Sequence, residues 1–126
     1  YGINRDVDIL LAKEIVWAIG LAEQTEPPTI EWVEKSQLVC RNGIGFYPLS
    51  DRDTCVNGVY NYQTDDSIQL AWPDWMVFHN SAYVHELYHA HLYRSGFGVD
   101  PNHNDAGFQL GGIVERLNRE LCQAGL

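Results

Sequence analysis

The stretch Val84-His85-Glu86-Leu87-Tyr88-His89 decides how this chain is read. It contains the pattern H-E-x-x-H. On a helix turning about 100° per residue, His85 and His89 share one face about 40° apart, so both imidazoles can reach a single ion. Glu86 lies about 100° from His85 and therefore beside that ion. A carboxylate there can take a proton from a water and pass it to a leaving amine. Val84, Leu87, Tyr88 and His91 form a second stripe, roughly opposite the first. The helix is thus expected to pack on one side and line something on the other, with His91 a buried, hydrogen-bonded core residue. A purely structural helix would put leucines at 85 and 89.

Outward from this stretch, Asn80 or Ser81 offers an N-cap, and Gly96 and Gly98 stop the helix near Ser95. Upstream, Val7, Leu10, Leu11, Ile15, Ala18, Ile19 and Ala22 recur at helical spacing and predict an N-terminal helix ending before Pro27-Pro28. From Ile30 to Pro73 the aromatic and β-branched residues, broken by Asn-Gly at 42-43 and 57-58, predict short strands and turns. Ser67 to Trp72 is one of these strands. After a loop from Gly96 to Asp105, the residues Leu110, Ile113, Val114, Leu117 and Leu121 mark a last helix. The class is α+β, one domain over residues 1–126: N-terminal helix, small mixed or antiparallel sheet, histidine-bearing helix, loop, C-terminal helix.

The 126 residues carry a formal charge of −9, and their eight Lys and Arg are scattered without a basic stripe. A nucleic-acid backbone would be repelled, and no nucleic-acid partner is expected. The strongly apolar run from Ile15 to Ala22 is far short of the ~20 residues that cross a bilayer, so no membrane span is expected. The chain opens at Tyr1 without a methionine or a leader, and it reads as a mature form or an excised fragment. Cys40 and Cys55 flank a turn-rich loop that a disulfide could close, leaving Cys122 free or paired elsewhere. That pattern points to a secreted or cell-envelope protein. Asp51-Arg52-Asp53 and Asp65-Asp66 lack calcium-loop spacing and read as solvated acidic turns.

A short strand at 67–72, the helix with His85-Glu86-Leu87-Tyr88-His89, and a loop rich in further donors together resemble the zincin metallopeptidases over about residues 67 to 105. The resemblance implies a Zn²⁺ ion, a peptide or protein substrate, and Glu86 as general base and acid. It also implies that the strand Ser67 to Trp72 pairs with the extended substrate. A monomer is expected. The metzincin continuation is missing, because Leu92 and Ser95 stand where that subfamily has glycine and histidine. A third ligand must therefore come from elsewhere. Glu115 is the thermolysin-like choice, but it lies about 140° from the apolar stripe of its helix and should face water. Asp100 stands at the spacing of the aspzincins, whose flanking motifs are absent. His103 is the better chemical choice, since imidazole suits zinc and a loop histidine can swing onto the helix face, with Asp100 or Asp105 then orienting a ligand. Tyr93, on the Glu86 side, is the preferred tyrosine for stabilising an oxyanion.

Overall fold

The computed structural model describes residues 28–38, 56–72, 74–77 and 80–123. The expected N-terminal helix, His79, Asp51 to Asp53, and the Cys40 and Cys55 pair lie outside the described residues. The described part is α+β, a three-stranded mixed sheet and a two-stranded ribbon with two helices. Strands β1 (Thr29–Val33), β2 (Gly58–Asn61) and β3 (Ser67–Ala71) form the sheet in the order β1-β3-β2. The pair β1 and β3 is parallel, with Thr29 opposite Ser67 and Val33 opposite Ala71. The pair β2 and β3 is antiparallel, with Gly58 opposite Leu70 and Asn61 opposite Ser67. Strands β4 (Met76–Val77) and β5 (Asn80–Ser81) form the ribbon that leads into helix α1 (Ala82–Arg94).

This order corrects one expectation. Ser67 to Ala71 is the central strand, hydrogen-bonded on both sides, and four of its five residues are buried. It has no free edge for a peptide. Among the described residues the open edge facing the helix belongs to β2. The alternation of Ile68, Leu70 and Trp72 is visible in the sequence, but sheet order is decided by the crossover from β1, which sequence periodicity does not encode.

Helix α1 starts and ends on the expected residues. The Ser81 hydroxyl accepts from the Val84 N–H at 3.2 Å, which satisfies one of the orphan donors of the first turn. At the other end Gly96 takes φ +87°, with Gly96 N–H on Tyr93 C=O at 3.1 Å and Phe97 N–H on Leu92 C=O at 2.9 Å. That is a Schellman stop, which needs the left-handed residue that glycine supplies without a Cβ clash. Helix α2 (Ile113–Gln123) places Leu117 and Leu121 fully in the core, beside Ile68, Leu70, Tyr83, Val84, Leu87 and Leu92. Each such side chain contributes about 1.5–3 kcal/mol on burial. Asn118 fixes α2 to the start of α1 by accepting the Ser81 N–H at 3.0 Å.

Three further expectations are corrected here. Leu110 lies before α2 and is 93% exposed, because Gly111 and Gly112 delay the helix start. With Leu110 gone from the stripe, Glu115 falls in the first turn, half-buried, and its carboxylate accepts the Gly111 N–H at 3.3 Å. His91 is half-buried rather than buried, its ring stacked on that of Tyr88 at 5.9 Å. Among the described residues no helix is long and apolar enough to cross a membrane. Cys122 is an exposed thiol.

Candidate metal centre

His85 and His89 project from the first two turns of α1 toward a loop whose backbone is shaped to meet them. Gly98, Asp100 and His103 all take positive φ, at +79°, +55° and +57°. Asp and His are among the side chains that tolerate this region, at a cost that the surrounding bonds must offset. Those bonds are present. The Asp100 carboxylate accepts the Asn104 N–H at 3.0 Å and the Asp105 N–H at 2.8 Å, while Asp100 C=O accepts the His103 N–H at 3.0 Å. The Gln109 amide donates to His103 C=O at 2.7 Å.

The result is a cluster of three imidazoles. The Nε2 atoms are 3.2 Å apart for His85 and His89, 2.9 Å for His85 and His103, and 3.1 Å for His89 and His103. Tetrahedral zinc with Zn–N bonds of ~2.0–2.1 Å sets its nitrogens ~3.3 Å apart. The spacing of the donor set therefore fits one such ion. His89 donates from Nδ1 to Val99 C=O at 2.5 Å, which leaves its Nε2 bare for an ion. Burial, with the neighbouring His89 and His103, pushes the His85 pKa down to about 4, and burial likewise lowers that of His89. Neutral imidazole is the form that a metal requires.

Glu86 is buried, with Oε2 4.0 Å from His85 Nε2. Burial raises its pKa to about 8, opposed by a hydrogen bond from the Tyr60 backbone N–H. Strand parity explains that bond. Ala71 N–H donates to Asn57 C=O at 2.9 Å, so Asn57, Val59 and Asn61 bond to β3, while Gly58 and Tyr60 turn their polar groups to the open edge. Tyr60 is itself fixed, since its hydroxyl donates to Asp66, which pairs with Arg94 of α1. The edge strand and the helix are thereby tied together at Glu86 and again at Arg94.

The histidines, Glu86 and the β2 edge line one open cavity of 1320 Å³, together with Phe108, Val99 and Glu115. Of the expected site residues, His85, Glu86, His89 and His103 come together. Asp100 and Asp105 instead hold the loop, Asp105 by accepting from the Tyr88 hydroxyl and from Gly107 N–H at 2.9 Å. Glu115 lines the cavity without joining the histidine group. Tyr93 packs its ring against Tyr60 and Tyr62 at 6.3 and 5.1 Å and is not in the cavity lining. Seven residues beyond Glu86, it sits about 10 Å further along the helix axis.

Three contributors escaped the sequence reading. Phe108 covers the three imidazoles, with ring centroids 4.9, 4.6 and 4.8 Å from those of His85, His89 and His103. Asp105 before Ala-Gly-Phe is a local N-cap signal that could have placed it. The Tyr60 N–H and the Tyr88 hydroxyl depend on sheet order and loop path, which no short motif carries. Comparison with protein-family models, curated proteins and solved structures gives no match to this chain.

Proposed function

We propose that the chain is a zinc-dependent endopeptidase of the zincin type. The observation that carries this reading is the convergence of three histidine Nε2 atoms beside a buried carboxylate that stands outside their cluster. His85, His89 and His103 would hold a zinc ion, which would supply a Lewis acid for the scissile carbonyl and for the attacking water. Metal storage alone would not require Glu86, which could be apolar at that depth. As general base, Glu86 Oε2 takes the proton of the attacking water, and as general acid it returns a proton to the leaving amine. The Tyr60 N–H holds the carboxylate in place for both transfers. An extended peptide would add to the β2 edge through the outward groups of Gly58 and the Tyr60 carbonyl. A secreted or cell-envelope location fits this reading, as does a monomer.

The test is cleavage of a quenched fluorogenic peptide library by the purified chain. Activity should disappear with a chelator, return with zinc, and be absent in Glu86→Ala. Zinc bound at one per chain without cleavage of any peptide or protein would instead favour a catalytically silent zinc-binding module.

A further inference from the structure

The cavity that holds the histidines continues past the start of α1, where Lys35, Asn57, Ser81 and Asn118 line it. Several contacts bring these residues to one end of the sheet. Val33 is opposite Ala71, and Ala71 N–H bonds to Asn57 C=O, so the residues just after β1 and just before β2 are neighbours. Gly58 lies against the first turn of α1, where a Cβ would stand 3.2 Å from that of Ala82. Asn118 joins the group through Ser81.

Lys35 is only 9% exposed. It lies in a 3₁₀ turn (Lys35–Gln37) closed by Glu34 N–H on Gln37 Oε1 at 2.9 Å and Leu38 N–H on Lys35 C=O at 3.1 Å. Its ammonium makes no hydrogen bond or ion pair among the described residues. Lysine is seldom buried to this degree without a partner. Lys35 lines the cavity, where a lysine can keep its stem covered and extend its head toward what the cavity holds. Among the described residues no other Lys or Arg lines the cavity. Beside it, Asn57 Oδ1 is buried and has no donor. The N-terminus of α1, a helix of 13 residues, adds its positive end at Ser81.

We propose that Lys35 makes this end of the cavity a subsite for a carboxylate carried by the substrate peptide, with Asn57 Oδ1 accepting from an adjoining peptide N–H. This rests on the peptidase reading above. Ser81 is four residues, about 6 Å of helix, from His85. An extended peptide advances about 3.4 Å per residue, so the carboxylate belongs about two positions from the scissile bond. The net charge of −9 opposes long-range attraction of acidic peptides. The selection must arise inside the cavity, from this lysine.

The carboxylate has two possible sources, an Asp or Glu side chain or a free C-terminus. Two matched peptide sets separate them, assayed with the zinc-loaded full chain. One set carries Glu, Gln or Lys two positions to either side of the cleaved bond and ends in an amide. The other carries Gln there and ends in a free carboxylate at that distance. The wild type should prefer the carboxylate-bearing peptide over its Gln counterpart by ~10-fold or more in kcat/KM, as a charge-assisted bond allows. Preference in the first set assigns the side chain, and preference in the second assigns the C-terminus. Lys35→Met should erase that ratio and Lys35→Glu should turn it toward Lys, with zinc content and Tm confirming the fold. A wild type without preference, or a ratio unchanged in Lys35→Met, overturns the proposal. If the wild type cleaves neither set, the peptidase reading fails on its own. Titration of the same peptides into zinc-loaded Glu86→Gln protein then decides the subsite. Tighter Lys35-dependent binding of the carboxylate peptide supports it, and equal binding overturns it.

Discussion

The Tyr88 hydroxyl, on the histidine-bearing helix, donates a hydrogen bond to the Asp105 carboxylate, two residues beyond His103. This bond latches the loop to the helix close to the third imidazole. Burial, reinforced by the carboxylate itself, pushes the hydroxyl pKa up to about 12, so it remains a donor at neutral pH. Removing the hydroxyl leaves the ligands intact but loosens the third. Tyr88→Phe should therefore weaken zinc binding by ~10–100-fold, the range found for partners that orient a metal ligand. Competition against a chromophoric chelator measures it, and an affinity equal to wild type would mean that Asp100 alone holds the loop.

Gly107 presses on the same tyrosine. A Cβ at that position would collide with the end of the Tyr88 ring, so either the tyrosine, which is bonded to Asp105, or the loop must shift. Gly107→Ala should cost about 1–3 kcal/mol of stability through overpacking. It should also lower zinc affinity more than Tyr88→Phe does, since it displaces the loop rather than loosening it. Paired thermal and metal titrations check both effects, and a methyl accommodated with no change in either would disprove the close contact.

His103 and Asp100 are separated by the kind of bond each makes. His103 Nε2 lies within 2.9 and 3.1 Å of its two partners' nitrogens, whereas both Asp100 oxygens are occupied by backbone N–H groups of the loop. His103→Ala should abolish activity and most zinc affinity. Asp100→Asn, which keeps one acceptor oxygen, should lose ~10–100-fold, and Glu115→Gln should stay near wild type. Should Asp100→Asn lose zinc while His103→Ala retains it, the ligand set is different from the one proposed.

The contrast between these residues shows what the sequence carried. The helix limits at Ser81 and Gly96, the shared face of His85 and His89, and the approach of His103 to them follow from local rules: caps, helical angle and glycine freedom. The misassigned edge strand and the position of Tyr93 follow from non-local facts. Whether Ser67 to Ala71 is central depends on a parallel partner 38 residues earlier in register. Tyr93 was placed by helical angle alone, which omits the axial distance that takes it to Tyr60 and Tyr62. Lys35 gave no signal, because one lysine near a strand end is ordinarily a solvated residue.

The buried Glu86 sets a pH dependence for the metal-free protein. Its folded pKa of about 8 lies above the ordinary 4.5. Between those values the unfolded chain has released a proton that the folded chain keeps, so stability falls as pH rises through the window. His85 acts in the opposite sense lower down: with its pKa at about 4 instead of 6.5, stability falls as pH drops from 6.5 toward 4. From pH 6.5 to 8 the glutamate therefore acts without the opposing His85 slope. The Tm of chelated wild type should decline over that interval, and Glu86→Gln should flatten the decline. A slope that survives the substitution would assign it to another group. With zinc restored, Glu86→Gln should keep the metal and lose ~10²–10⁴-fold in activity, the contribution typical of a positioned acid and base.

The final prediction follows from the parity of β2. Gly58 and Tyr60 face the open edge, but the Tyr60 N–H is engaged by Glu86. The edge therefore offers an incoming peptide one donor, Gly58 N–H, and two acceptors, the carbonyls of Gly58 and Tyr60. A peptide adding as a strand directs every second residue's polar groups to the edge, so its amides should matter with a period of two. Backbone N-methylation of a good substrate, one amide at a time, should lower kcat/KM by up to ~10-fold at amides that donate to Gly58 or Tyr60, and little at the amides between them. Uniform sensitivity along the peptide, or none at any position, would show that the substrate does not bind as an added strand. The alternation should persist in the slow Glu86→Gln enzyme read as KM, because the two edge carbonyls remain when the proton-transfer group is gone. Were it to vanish there, the periodic loss would reflect disturbed catalysis at Glu86 rather than pairing along β2.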